Sequence, residues 1–282
     1  MTPLREKMID AMLMRGFSIR TQTSYLSAVT ALASYYHRCP SRVTYKEIQA
    51  YLLYLVKHKQ LSPSSIRLYF NGLRFLYVNV LGWSANAFLF DLPKRKQRIP
   101  QLLTQDEVQC IIQGSPDLKQ KTLFSVCYGC GLRVSELVAL RTQDIDIDRS
   151  VLGVVQGKGG KDRHVILPHS LLAMIHHYQA RYTPKYWLFY SVNACRALCV
   201  NSVQRYFSAI KQQQKIEKEG GPHMLRHAYA THQLAAGMSL HLLKQQLGHA
   251  HIASTYRYLH WLPNESLSLS ADLLAGLEVS HE

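Results

Sequence analysis

The 282-residue chain has no long apolar run, and no stretch approaches the roughly 18 apolar residues that a membrane span needs. Its first ten residues, MTPLREKMID, contain no apolar export segment. The sequence therefore reads as that of a cytoplasmic protein with no membrane partner. Acidic residues are scarce, 18 Asp and Glu against 33 Lys and Arg, giving a formal net charge of +15. The basic residues are spread along the chain rather than gathered in a tail. Such a surplus implies a polyanionic partner, because each neutralised phosphate releases condensed counterions. Nucleic acid is the leading reading, with ribosomal surfaces and anionic membranes as alternatives. Cysteine is also sparse, and six thiols without an export signal read as reduced. Cys127 and Cys130 form a C-x-x-C, but the only other close pair, Cys195 and Cys199, has a different spacing. That excludes a simple zinc ribbon and leaves Cys127, in the apolar run TLFSVCYGCG, as a small buried thiol. There are no internal repeats and no low-complexity segment.

What is present is enough apolar material, 47% of residues, for one large domain or two ordinary ones. Residues 1–91 read as helices throughout, with Ile48, Leu52, Leu55 and Val56 at helical spacing. Thr44 with Glu47 forms a capping box, and Ser62 before Pro63 gives an N-cap followed by proline at the first helical position. Residues 92–100, LPKRKQRIP, follow as a linker whose prolines bracket Lys94, Arg95, Lys96 and Arg98. In so basic a chain this run is expected to lie along a phosphate backbone. Residues 101–282 form the second domain, restarted by a capping box of Thr104 and Glu107. VLGVVQ and HVILP are short β-rich runs, separated by GKGGKDR as a hairpin turn. Helical spacing returns from about Ser202.

Metal chemistry fits the sequence poorly. A helical zinc-hydrolase motif needs Glu directly after its first His, and HMLRH has Met224 there. Asp144, Asp146 and Asp148 of DIDID would share one strand face, as a two-metal nuclease requires, but Asp-rich dipeptides before a strand are ordinary turn chemistry. Phosphate chemistry accounts for more. YGCGLRVSEL places Arg133 at the start of a helix after a glycine turn, where main-chain N–H groups and a guanidinium can converge on an anion. Arg226 supplies a second fork, and Lys158 in GKGGK a mobile ammonium. His249 and Tyr258 follow in LGHAHIASTYRYLH.

Arg133 in GLRVSEL, Lys158 in GKGGKDR, His223 and Arg226 in HMLRHAYATH, His249 in LGHA and Tyr258 in YRYLH resemble the catalytic set of the tyrosine recombinases, the phage integrase family. The resemblance spans about residues 100–265, and the first domain resembles that family's core-binding domain more weakly. It implies a mainly α fold, with a helical core-binding (SAM-like) domain and a mixed catalytic domain carrying a small antiparallel sheet, forming a C-shaped clamp on DNA. It implies site-specific recombination through a 3′-phosphotyrosyl intermediate and a Holliday junction, without cofactor or metal. Arg133 and Arg226 would clamp the non-bridging oxygens, His249 would donate to them, His223 would accept the tyrosine proton, and Lys158 would protonate the leaving 5′ oxygen. Glu136 would orient the site, and Lys161 would contact DNA beside the linker cations. Tyr256 competes with Tyr258, but two residues apart on a helix is about 200°, so only one faces the phosphate; family spacing favours Tyr258. His227 and His232 read as structural. The partners implied are double-stranded DNA sites and a homo-tetramer or mixed tetramer assembled on them from monomers, associated with the nucleoid when bound. The tail from about Ser266 would dock on a neighbouring protomer or pack in cis.

The chain opens directly on core-binding helices, so the arm-site domain of larger phage integrases is expected to be absent. Only 64 residues separate Lys158 from His223, too few for the insertion associated with integron integrases. Chromosome-resolving, integron and mobile-element subfamilies all remain open. Two alternatives from other classes are a type IB topoisomerase, which uses nearly the same constellation without synapsis, and a non-catalytic DNA-binding protein.

Overall fold

The computed structural model describes residues 2–88, 90–93, 100–155, 162–192 and 196–261. The chain divides into two compact units, Met1–Arg98 and Ile99–Glu282. Residues 94–99 of the basic linker, the hairpin turn at 156–161 and the tail from residue 262 lie outside the described residues.

The first unit packs helices α1 (Pro3–Leu13), α2 (Ile19–Tyr36), α3 (Tyr45–Lys57) and α4 (Pro63–Arg74), with α4 continuing into a π-helical stretch, Phe75–Val80. The expected caps are there. Thr44 and Glu47 exchange hydrogen bonds at the start of α3, and Ser62 accepts from the Ser65 N–H one residue before Pro63. Ile48, Leu52 and Leu55 are buried, as their spacing predicts, whereas Val56 falls at the edge of the stripe and is exposed. Their partners include Leu32, Ile66, Leu73 and Leu76.

The second unit opens with α5 (Gln105–Gln113), capped by Thr104 and Glu107, then α6 (Leu118–Gly129) and the five-residue α7 (Val134–Val138). Three short strands, β1 (Ile145–Asp146), β2 (Val151–Val154) and β3 (Arg163–Ile166), pair antiparallel in that order. The sequence predicts β2 and β3. It does not predict α8 (His169–Tyr182), which starts just after the sheet, well before the helical pattern expected from Ser202. Leu171, Ile175 and Tyr178 form its buried stripe, but His169, His176 and His177 interleave with them and dilute the apolar period. Then follow α9 (Val200–Gln213), α10 (His223–Ala235), α11 (Leu240–Leu247) and α12 (Ala253–Leu259).

The core explains why α10 holds so many functional residue types. Helix α6 is buried on every face from Thr122 to Cys127. Helix α10 packs against α6, α5, α11 and α12, with Leu225, Ala228 and Ala230 fully buried. Cys127 and Cys130 lie inside this core, where burial pushes both thiols up to about 12. DIDID is divided between a turn and an edge. Asp144 accepts from the Arg141 main-chain N–H and side chain, and Asp146 from the Arg149 N–H. Asp144 is thus occupied by Arg141, as turn chemistry requires.

Gly131 sits at the junction of fold and site. Its φ of 59° is left-handed, and an added Cβ would lie 2.4 Å from Tyr229 Cδ1. Its carbonyl accepts from Arg226. Gly131→Ala is expected to cost roughly 2–4 kcal/mol, strain and overpacking together, measured as a lowered chemical-denaturation midpoint. An unchanged midpoint would mean that the Tyr229 ring moves aside freely.

Candidate active site

A carboxylate organises the site. Arg133 is the N-cap of α7 and Glu136 its third residue, so the Arg133 main-chain N–H donates to Glu136 Oε2 at 2.9 Å while its own guanidinium donates to Oε1 at 2.6 Å. From the first residue of β3, Arg163 makes a two-pronged contact with the same carboxylate, Nη1 to Oε1 at 3.0 Å and Nη2 to Oε2 at 2.9 Å. Arg226 of α10 approaches to 3.6 Å. Burial alone would raise the Glu136 pKa, but hydrogen bonds and charge from Arg163, the Arg133 N–H and Arg226 outweigh it and hold it at about 2. Glu136 is therefore ionised, and three guanidiniums converge on one negative charge.

Arg226 is only 1% exposed. Its Nη1 donates to the Gly131 carbonyl at 2.8 Å and its Nη2 to the Leu247 carbonyl at 2.6 Å. Burial, then repulsion from Arg133, lowers its pKa to about 10, so it stays charged at neutral pH. Arg133 keeps part of its guanidinium at the surface. Between them they present a concentrated positive site at the end of a short helix.

Helix α11 ends on Gly248, whose φ of 61° is left-handed, and His249 follows immediately. An added Cβ at Gly248 would lie 2.9 Å from Arg163 Cδ, so only glycine leaves this arginine its place. The His249 ring is fixed at both nitrogens. Nε2 lies 3.2 Å from Arg226 Nη2 and Nδ1 lies 2.9 Å from Thr255 Oγ1. Arginine only donates, so Nε2 accepts and the ring proton belongs on Nδ1, pointing at Thr255. Burial and then the charge of Arg226 depress the His249 pKa to about 4.

Thr255 and Tyr258 share α12 one turn apart. Tyr258 is 4% exposed and Tyr256 51%, the opposite faces that helical geometry requires. The Tyr258 ring stacks parallel to His249, with 6.2 Å between centroids, and packs edge-on against Trp261 at 5.1 Å. Burial raises the Tyr258 pKa, opposed by Arg226, Arg257 and Arg133.

The structure thus brings Arg133, Glu136, His223, Arg226, His249 and Tyr258 into one region. Lys158, Lys161, Lys94, Arg95, Lys96 and Arg98 lie outside the described residues. Two participants escape sequence reasoning. Arg163, the last residue of GKGGKDR, reads as one more loop cation. His227, read as structural, places Nδ1 3.2 Å from the Tyr258 hydroxyl. The expected proton acceptor, His223, has its ring against His227 instead, with 4.5 Å between centroids. Only the repeated His-x-x-x-His on α10 signals this, since residues four apart share a helix face. His232 fits its structural reading, with Nδ1 2.9 Å from the Tyr128 hydroxyl.

Comparison with known proteins matches both units of the chain. Residues 101–265 match the Phage integrase family, and residues 4–85 match its N-terminal SAM-like domain. The provisionally named integrase/recombinase y4qK of Sinorhizobium fredii is 37% identical over 273 residues, covering 96% of this chain and 88% of that protein. The crystal structure of XerA recombinase is similar with a TM-score of 0.55 and 27% identity, over 94% of this chain and 95% of that one. The Tn1549 transposon integrase in complex with circular intermediate DNA shares the fold, with a TM-score of 0.74, 19% identity and 94% and 97% coverage.

Acid should weaken the fold through this cluster. His227 and His249 have pKa values lowered to about 3 and about 4, from an ordinary 6.5. Between those limits the unfolded chain binds more protons, so stability declines as pH falls below about 6.5. Glu136 adds a loss of the same sign from about 4.5 down towards 2. The thermal midpoint should therefore drop steadily from pH 7 to pH 4. Glu136→Gln should cost about 3–5 kcal/mol at neutral pH, because it leaves buried guanidiniums without their counter-charge. A flat midpoint between pH 7 and 4 would contradict this account of the cluster.

Proposed function

The chain belongs to the phage integrase family, and from that premise we propose that the cluster around Glu136 is where it cuts and rejoins DNA. The protein is a tyrosine-type site-specific DNA recombinase. Its relatives carry integrase and recombinase names, which favours strand exchange over simple relaxation or passive binding.

The observation that carries the assignment is the buried hydroxyl of Tyr258 beside Arg226 and the histidines. Cleaving a phosphodiester with a side-chain hydroxyl requires an aligned nucleophile, stabilisation of charge on the non-bridging oxygens, and a proton for the leaving oxygen. Tyr258 is the nucleophile. Arg133 and Arg226 bind the non-bridging oxygens, with His223 and His249 beside them. Glu136 and Arg163 hold those arginines in register. Lys158 supplies the proton to the 5′ oxygen, an assignment that rests on sequence resemblance. Because side chains fill every role, the reaction needs no metal, and the 3′-phosphotyrosyl bond conserves the energy for rejoining through a Holliday junction. The linker cations and Lys161 add backbone contacts that position the duplex. Four protomers, identical or mixed with a sister recombinase, act on two synapsed sites. Residues 1–91, 92–100 and 101–282 serve as core-binding domain, linker and catalytic domain.

Two experiments test this. On a nicked DNA substrate in EDTA, the unmodified protein and Tyr256→Phe are expected to form a covalent adduct. Tyr258→Phe should bind DNA and form none; an adduct that survives Tyr258→Phe and disappears with Tyr256→Phe would reverse the assignment. Second, Lys158→Ala should slow cleavage by on the order of 10²–10⁴-fold. It should recover on a substrate with a bridging 5′ sulfur, because a thiolate, with a thiol pKa of roughly 8.5, leaves without an acid. Arg133→Ala should not recover, since the charge it stabilises persists. Equal impairment of Lys158→Ala on both substrates would make Lys158 a phosphate contact and Lys161 the next acid to examine.

A further inference from the structure

Helix α10 starts without a side-chain cap. Pro222 stands at its N-cap and offers no side-chain acceptor, and Gly220 and Gly221, the residues with most backbone freedom, precede it. His223, the first residue of the helix, is exposed, with the His227 ring against it at 4.5 Å. Its place is therefore set by the backbone that delivers it, and that backbone is held from outside. Lys218 Nζ donates to the Leu102 carbonyl at 2.7 Å and to Glu107 Oε2 at 2.6 Å, while the Glu219 N–H donates to Gln101 Oε1 at 2.6 Å. From α9, Lys211 Nζ donates to the carbonyls of Lys218 and Gly220. Gln101 and Leu102 directly follow the basic run of residues 92–100. On this geometry, and resting on the reading of the Glu136 cluster as the strand-cutting site, we infer that Lys218 is a positioning residue that sets His223 for the reaction by holding the loop before α10 to the segment after the linker.

The tether is strong where the loop is weak. The Lys218 and Glu107 side chains are 30% and 26% exposed, so solvent and salt screen the pair less than one on the open surface. Burial raises the Glu107 pKa, but the hydrogen bonds from Lys218 and Thr104 bring it below its ordinary value, and the carboxylate is ionised. Oε2 then serves two elements at once, taking the Thr104 N–H that caps α5 and the Lys218 ammonium. Only Glu219, Gly220, Gly221 and Pro222 lie between Lys218 and His223, so a shift at one end reaches the other. The loop also runs close against α10. Gly220 has a φ of 138°, and an added Cβ there would lie 2.6 Å from Met224 Sδ. His223 is the residue to which the family resemblance gives the Tyr258 proton, and a proton acceptor works only within hydrogen-bond reach. Misplacing such a group by about 1 Å costs up to about 10²-fold in rate.

The experiment asks whether Lys218 acts through His223 or through the fold at large. Single-turnover adduct formation on nicked DNA, and affinity for the same DNA, are measured for the unmodified protein, Lys218→Met, Lys218→Arg, His223→Ala and the double variant His223→Ala with Lys218→Met. Lys218→Met is expected to slow adduct formation by about 10-fold to 10²-fold, with DNA affinity within about threefold of normal. Lys218→Arg keeps donors for both Leu102 and Glu107 and should recover most of the rate. His223→Ala should lose about 10²-fold, and adding Lys218→Met to it should cost less than about twofold more, because the group that Lys218 positions is already gone. Three results overturn the inference: a rate for Lys218→Met within about twofold of normal, a loss matched by weaker DNA binding, or the full Lys218→Met loss repeated on top of His223→Ala. General unfolding would give the last of these, so it counts against the inference. No effect of His223→Ala would remove the role of His223 and with it that of Lys218. Failure of the unmodified protein to form an adduct would instead remove the reading of the site beneath both.

Discussion

The buried carboxylate of Glu136 is the constraint around which the second unit is organised. An ionised carboxylate out of water is tolerated only when paired and hydrogen-bonded. Arg133, Arg163 and Arg226 meet that demand from α7, β3 and α10. The dependence is mutual, since three guanidiniums this close would repel one another without the negative charge between them. One acidic residue therefore fixes a short helix, the edge of a sheet and a central helix relative to each other. The result is a positive site whose members are already in place before any phosphate arrives, the preorganisation that stabilises charge developing in a transition state.

A second set of contacts ties Tyr258, the proposed nucleophile, to that site. Gln246 of α11 receives the Ile166 N–H on its side chain and the Arg163 Nε–H on its carbonyl, so α11 is anchored to β3. Gly248 then turns the chain, His249 emerges, and α12 presents Thr255 and Tyr258. Thr255 holds His249 while His249 stacks on Tyr258, so the His249 ring and the Tyr258 hydroxyl are set by the same helix. Burial and nearby cations keep His227 and His249 neutral beside a tyrosine that is itself protonated. The free protein thus holds the Tyr258 hydroxyl protonated between two neutral histidines.

Local signals were legible wherever a few adjacent residues decide the outcome. The capping boxes at Thr44 and Thr104, the Ser62–Pro63 start and the two hairpin strands follow from side chains that satisfy their own neighbouring backbone. Helix α8 was missed because histidines interrupt its apolar stripe, and its register is decided by the core it packs on. Arg163 shows the same limit from the other side. Nothing in GKGGKDR distinguishes a loop cation from a guanidinium that reaches Glu136, because the partner is 27 residues away and meets it only when β3 pairs with β2.

The sequence by itself determined the chemistry available: a basic chain, two arginines, a lysine, histidines and a tyrosine in an order that resembles one family of DNA strand-exchange enzymes. It also determined that only one of Tyr256 and Tyr258 can face inward, since helical pitch is a local property. Only the tertiary structure decided which histidine meets Tyr258. His223 and His227 lie on the same face of α10, equivalent by spacing, and the choice between them depends on where α12 and Trp261 come to rest against that face. That is a matter of packing between segments 31 residues apart, which periodicity cannot encode.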